Sequence, residues 1–286
     1  MFDTVLETEV LAAHLNDPRW VIFDCRNALT DPGVGPRAYA AGHIPGARYM
    51  HLEDDLSGPI TAATGRHPLP DPELLAAKLG RAGVGKHSQV VAYDDSGGSY
   101  AARLWWLLRW LDHPQVAVLN GGWQQWLKEQ RPVDGAVPTP VPHEFPYRGA
   151  DRGLWLSTEQ VLQMARGQRK GLLLDARAPT RYRGEEEPID QVAGHVPGAQ
   201  NLPFAGNLAA DGRFNAPAVL RHRFEEALGD YRPEQAVIMC GSGVTACHNL
   251  LAMELAGMKE AKLYAGSWSE WIRDPDRPVE VSAARR

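Results

Sequence analysis

The chain repeats itself once, and that repeat limits its fold more than any other feature of its 286 residues. Val21-Ile22-Phe23-Asp24-Cys25-Arg26 returns as Leu172-Leu173-Leu174-Asp175-Ala176-Arg177. Gly42-His43-Ile44-Pro45-Gly46-Ala47 returns as Gly194-His195-Val196-Pro197-Gly198-Ala199, and Gly121-Gly122-Trp123-Gln124-Gln125-Trp126 as Gly266-Ser267-Trp268-Ser269-Glu270-Trp271. Arg131-Pro132-Val133 and Arg277-Pro278-Val279 close the two halves alike. The copies keep a spacing of 151, 152 and 145 residues at Asp24, His43 and Trp123. Two copies at so long a period mean duplicated domains, not a solenoid. In each half short apolar runs alternate with amphipathic stretches: Trp20 to Phe23, Val90 to Tyr93, Leu172 to Leu174 and Ala236 to Met239 read as strands. Tyr100 to Leu111 and about Thr245 to Ala256 read as helices. That alternation predicts an α/β fold with a mainly parallel central sheet flanked by helices in each half.

Between the halves Asp134-Gly135-Ala136-Val137-Pro138-Thr139-Pro140-Val141-Pro142 is aperiodic and proline-rich, which predicts an extended linker. The expected domains are therefore residues 1–134 and 151–286, joined by 135–150. Halves of about 135 residues are each large enough to be stable, so a monomer suffices. A net charge of −5 argues against general nucleic-acid binding. No apolar stretch approaches the length of a membrane span. The acidic start, Met1 to Glu7, lacks the regions of a signal peptide, and three cysteines cannot all pair within the chain. Together these point to free thiols in a reducing cytoplasm.

Chemistry concentrates at Met239-Cys240-Gly241-Ser242-Gly243-Val244-Thr245-Ala246. A cysteine ends an apolar run, a loop of glycines and hydroxyl residues follows, and a helical pattern then starts. Backbone N–H groups of Gly241 to Thr245 and the positive end of a helix dipole favour thiolate there, and a thiolate is the nucleophilic form. The duplication supplies a control, because Val90-Val91-Ala92-Tyr93-Asp94 aligns with Ala236-Val237-Ile238-Met239-Cys240. Asp94 stands in the cysteine position, so the first domain reads as a non-catalytic scaffold. Cys25 matches Ala176 and Cys247 matches Ala101, which fits core packing. Glu185 to Glu187 reads as a solvated charge run. No histidine pair accompanies Cys240 and Cys247 at metal-ligand spacing, and no phosphate-binding glycine fingerprint is present, so neither metal nor cofactor is expected. A cysteine phosphatase would need an arginine closing its loop; position 246 is Ala246.

These motifs together resemble the tandem-domain rhodanese-like sulfurtransferases over nearly the whole chain. The resemblance implies two α/β domains, an active site between them, and a sulfane sulfur carried as a persulfide on Cys240. Thiosulfate-type members have Arg and Lys directly after the cysteine; Gly241 and Ser242 look like the 3-mercaptopyruvate type. In that type a loop serine is proposed to act with a His and an Asp of the N-terminal domain, for which His43 and Asp31 are the matching candidates. His43 alternatively orders a turn, as its twin His195 does. Arg181-Tyr182-Arg183-Gly184 matches the segment whose first arginine binds the donor anion, making Arg181 the first choice and Arg183 the second. Gly241, Gly243, Val244 and Thr245 complete the substrate loop. The mercaptopyruvate type carries a further arginine before its second Gly-His segment. Here Glu185-Glu186-Glu187-Pro188-Ile189-Asp190-Gln191 has none, so one of two carboxylate clamps is missing or supplied elsewhere. The expected donor is 3-mercaptopyruvate, with thiosulfate as the alternative; cyanide, a small thiol or a thioredoxin-like protein is the acceptor. A persulfide carrier without turnover is the third reading.

Overall fold

The apolar runs of the repeat become two parallel sheets in a computed structural model that describes residues 1–147, 149 and 153–282. Positions 148 and 150 of the expected linker, and 151, 152 and 283–286 of the expected second domain, lie outside the described residues. The first half runs β1 (Val5–Leu6), α1 (Thr8–Ala13), β2 (Trp20–Asp24), α2 (Val34–Ala41), β3 (Arg48–Tyr49), α3 (Pro72–Arg81), β4 (Gln89–Tyr93), α4 (Ala101–Trp110), β5 (Val116–Leu119) and α5 (Gly122–Lys128). The second runs β6 (Trp155–Leu156), α6 (Thr158–Ala165), β7 (Leu172–Asp175), α7 (Pro179–Arg183), β8 (Gln200–Asn201), α8 (Pro217–Leu228), β9 (Ala236–Met239), α9 (Ala246–Leu255), β10 (Lys262–Tyr264) and α10 (Ser267–Trp271). Strand order is β1-β5-β4-β2-β3 in one sheet and β6-β10-β9-β7-β8 in the other, every pair parallel. β4 and β9 are buried along their whole length, as strands covered on both faces must be.

The chain divides into two compact units. One contains Met1–Gly58, Leu69–Arg152 and Ala210–Phe214; the other contains Pro59–Pro68, Gly153–Ala209 and Asn215–Arg286. The decapeptide 59–68, which lies in the first half of the sequence, thus belongs to the second unit. Each unit has its own core. Ile22, Val91, Tyr93, Ala117, Leu119 and Trp126 anchor the first; Leu173, Val237, Met239, Tyr264, Trp268 and Trp271 anchor the second. Residues 135–147 carry no helix or strand and are mostly exposed. Among the described residues no helix is long and apolar enough to cross a membrane.

The repeated motifs build the same joints twice. Trp126 Nε1 donates to Pro132 O at 2.8 Å, and Trp271 Nε1 to Pro278 O at 2.9 Å, which explains the paired Trp and Arg-Pro-Val motifs. His43 stacks on Tyr39 (4.0 Å between ring centres) with Nδ1 on Tyr39 O; His195 stacks on Tyr182 (3.9 Å) with Nδ1 on Tyr182 O. At the ends of β2 and β7, Arg26 and Arg177 each clamp the strand's last aspartate and a glycine carbonyl of the Gly-His turn, Gly42 O or Gly194 O. Both ion pairs are almost wholly buried. Removing one partner of such a pair leaves a charge without water or counterion. Arg177→Met is therefore expected to lower stability by about 3–5 kcal/mol, read from the midpoint of urea denaturation; a loss below about 1 kcal/mol would deny the pair its anchoring role.

Candidate active site

Chain order in the second sheet reverses between β7 and β9, and crevices form outside the carboxyl ends of parallel strands at such a switch point. Cys240 follows β9 directly and is 2% exposed. Its sulfur accepts the N–H of Gly243 at 3.2 Å. Gly243 has φ +79°, and a Cβ there would lie 2.4 Å from Ala265 O, so the position admits only glycine. Val244 is buried, and Thr245 opens α9. The Gly-Ser-Trp motif holds the loop from behind. Ser267 Oγ accepts the Cys240 N–H (3.1 Å) and donates to Tyr264 O (2.8 Å). Trp268 N–H and Ser269 N–H donate to the Cys240 and Gly241 carbonyls. Ser267 takes φ +53°, a strained region for a side-chain-bearing residue, and its Gly122 counterpart takes +54°. A serine replacing glycine between repeat copies was the signal that marked Ser267, which sequence reasoning passed over.

The histidine on Ser242 is His67, not His43. His67 Nδ1 lies 2.7 Å from Ser242 Oγ, and both residues are 4% exposed. His43 instead has Nδ1 on Tyr39 O (2.9 Å) and Nε2 on Ala136 O (3.2 Å), so backbone carbonyls take both ring nitrogens. Asp31 is exposed, holds the Gly33 N–H and pairs with Arg37, whose guanidinium keeps its carboxyl below the usual range. Neither candidate thus holds the place expected of it. His67 sits in the 59–68 segment, tied down where Ser269 Oγ accepts the Arg66 N–H (3.0 Å) and Arg273 Nε donates to Thr64 O (3.1 Å).

Arg181 does stand at the loop: a Cβ on Gly241 would lie 3.4 Å from its Nη1. Its Nε and Nη2 donate to Glu187, and Nη2 also reaches Asp190 Oδ2 at 3.1 Å. The Glu187 side chain is buried and further bonds Arg177 Nη1 at 3.4 Å, so it is a structural carboxylate and not part of a solvated run. Glu185 and Glu186 are exposed as expected. Arg183 forks onto Glu185 through two bonds of 2.8 Å at the surface, away from this cluster. Arg66 pairs with Asp190 Oδ1. Burial lowers the Arg66 guanidinium from its usual value, and the nearby Cys240 sulfur opposes that shift.

In the other unit Asp94 occupies the corresponding loop. Its Oδ1 accepts the Ser96 and Gly98 N–H groups and its Oδ2 those of Tyr100 and Ala101, all at 2.7–2.8 Å. Burial pushes its carboxyl up while the four donors hold it down, burial prevailing. Cys25 is fully enclosed beside Asp24, Asp94 and Asp55, and burial drives its thiol well above the ordinary value.

A thiol poised in a loop at the carboxyl end of a buried strand, backed by a Ser–His pair and arginines, defines a cysteine-dependent enzyme of α/β architecture. The rhodanese-like domain family matches residues 7–129 and 157–274, and the chain belongs to the tandem-domain rhodanese-like sulfurtransferases. It is 49% identical over 277 residues to a probable 3-mercaptopyruvate sulfurtransferase of Pseudomonas aeruginosa, covering 96% of this chain and 97% of the relative. It is 39% identical over 264 residues to a putative thiosulfate sulfurtransferase of Mycobacterium tuberculosis, covering 90% and 89%. The solved 3-mercaptopyruvate sulfurtransferase of Leishmania major superposes with a TM-score of 0.83 at 28% identity, over 94% of this chain and 74% of that one.

Gly243→Ala is expected to lower stability by about 1–3 kcal/mol and to abolish sulfur transfer. Thermal unfolding and a turnover assay on the same preparation check both; an active, equally stable variant would show that the loop has slack.

Proposed function

We propose that this chain transfers a sulfane sulfur from 3-mercaptopyruvate, through a persulfide on Cys240, to a thiol, cyanide or a thioredoxin-like acceptor. The observation that carries this reading is the 2.7 Å pair of Ser242 Oγ and His67 Nδ1, two residues along the loop from Cys240. The Cys240 thiolate attacks the donor sulfur. The carbon–sulfur bond breaks and its electron pair passes to the carbon, giving the enolate of pyruvate. Ser242 hands that enolate a proton and is resupplied through His67. Pyruvate leaves, and Cys240 keeps the sulfur as a persulfide, which the N–H of Gly243 helps to hold. An acceptor thiolate or cyanide then attacks the outer sulfur and restores Cys240, a two-step scheme. In this reading the first unit is a scaffold, because the Asp94 carboxylate already fills its loop. The three free, buried cysteines fit a reducing cytoplasm.

Thiosulfate is the second reading, favoured by the absence of an arginine among Glu185 to Gln191. Steady-state transfer to cyanide with each donor separates the two. A higher kcat/KM for 3-mercaptopyruvate is expected; a clear preference for thiosulfate would reverse the assignment. Cys240→Ala should form no persulfide with either donor. Ser242→Ala and His67→Gln should each lower kcat for 3-mercaptopyruvate about a hundredfold, with a smaller effect on thiosulfate, whose departing sulfite needs no proton at carbon. Equal losses on both donors would remove the proton-transfer role from the pair.

A further inference from the structure

A cavity of about 440 Å³ lies wholly within the first unit, whereas the Cys240 loop belongs to the second. Its volume falls in the range of small-molecule pockets, about 300–1,000 Å³. Leu15, Trp20, Ile22, Pro45 and Pro140 give it apolar walls, and Arg48 brings a charge. The walls are set in advance. Trp20 stacks on His14 with 4.1 Å between ring centres. The Pro138 to Val141 wall is tied on both sides: Ala136 O lies 3.2 Å from His43 Nε2, and the His143 N–H donates to Gly80 O at 2.9 Å. Arg48 opens β3 opposite Phe23 and reaches Gly83, where an added Cβ would lie 3.5 Å from its Nη2. Its Nε is shut off from water and has no hydrogen-bond partner. Among the described residues the rest of its guanidinium makes neither a hydrogen bond nor an ion pair. Asp17 also lines the cavity, but Arg19 already forks its carboxylate through bonds of 3.1 and 2.8 Å.

A desolvated guanidinium that nothing answers is costly. Arg26, buried in the same sheet, has its aspartate; Arg48 has none, and burial works against its charge. The fold itself does not call for a cation there. The second half repeats the turn as Pro197-Gly198-Ala199-Gln200 and sets a neutral, exposed Gln200 opposite Leu174, the counterpart of Phe23. We propose that this cavity is a binding site for a small organic anion, a carboxylate on an apolar ring, with Arg48 as its counterion and Trp20 and the prolines packed on its body. A planar guanidinium suits a planar carboxylate better than it suits a spherical anion, and the apolar walls exclude water from the pair. The site owes nothing to the choice of sulfur donor, since none of its residues belongs to the Cys240 loop.

The test uses the full-length protein and reads fluorine NMR line broadening of 4-fluorobenzoate, with the neutral 4-fluorobenzyl alcohol beside it. Wild type is compared with Arg48→Gln, which removes the charge, and with Thr139→Trp, which fills the cavity from its exposed rim and leaves Arg48 in place. Arg181→Gln serves as the control for anion binding beside Cys240. Wild type is expected to bind 4-fluorobenzoate with a Kd of about 1 mM or tighter. Arg48→Gln should weaken it about ten- to a hundredfold, Thr139→Trp should weaken it at least as much, and Arg181→Gln should leave it unchanged. The alcohol should bind more weakly than the carboxylate and be indifferent to Arg48→Gln. Sulfur transfer measured on each preparation shows that the variants fold; if Arg48→Gln does not, Thr139→Trp decides. No broadening with wild type, equal binding in wild type and the folded cavity variants, loss of binding in Arg181→Gln instead, or the alcohol binding as well as the carboxylate would each overturn the proposal.

Discussion

The buried Asp175–Arg177 pair is the contact on which the second unit turns. One guanidinium closes the end of β7 onto its own aspartate, fixes the Gly194 carbonyl of the Gly-His turn and reaches Glu187. From Glu187 the charges alternate outward: Arg181, Asp190, Arg66. Each ion in that series is desolvated by the fold and is tolerable only because the next one answers it. The series starts in a place water does not reach and ends with two guanidiniums beside Gly241. Donors braced in this way keep a geometry set during folding.

The other unit shows what the same architecture does without that outward series. Asp24 and Arg26 form the identical strand-end clamp with the Gly42 carbonyl, and Tyr93 OH adds a bond to Asp24 at 2.7 Å. There the arginine stacks on Trp123, as Arg177 does on Trp268. The loop after the middle strand is filled from within, because the Asp94 carboxylate takes four backbone N–H groups. A loop built to hold negative charge can hold a fixed carboxylate or a sulfur that changes hands. The first choice locks the loop, and the second requires that it stay able to receive and release an anion.

Much of this was legible in the sequence, and the duplication explains both the success and the errors. Residues that recur in both halves, His43 with His195 and Trp126 with Trp271, proved to be joints of the fold. Recurrence made them conspicuous and drew His43 into the expected site, although its ring nitrogens serve backbone carbonyls. Residues that do the opposite work have no twin. Cys240 stood out because its partner position holds aspartate. His67 and Arg66 lie in Thr64-Gly65-Arg66-His67-Pro68, an aperiodic stretch with neither helical nor strand spacing to place it. Nothing local says that this segment packs in the second unit; that follows from Ser269, Glu270 and Arg273, some 200 residues away in sequence. Glu187 misled for the same reason. An acidic run reads as solvated until the arginines that bury one member of it are in place.

A division of labour follows between what is repeated and what is not. The repeated positions carry the desolvated ion pair, the stacked histidine and the tryptophan that closes each half, all of which hold the carboxyl ends of the strands in register. The Cys240 loop sits on that frame; Ser267, strained at φ +53°, is held by its Oγ bonds to Cys240 N–H and Tyr264 O, while Gly243 takes +79° at no steric cost. Under the proposed function, chemistry enters at positions that break the symmetry: cysteine for Asp94, serine for Gly122, and the 59–68 segment bearing Arg66 and His67. The frame persists in both units while the loop differs, and the proposed function rests on positions where the halves disagree.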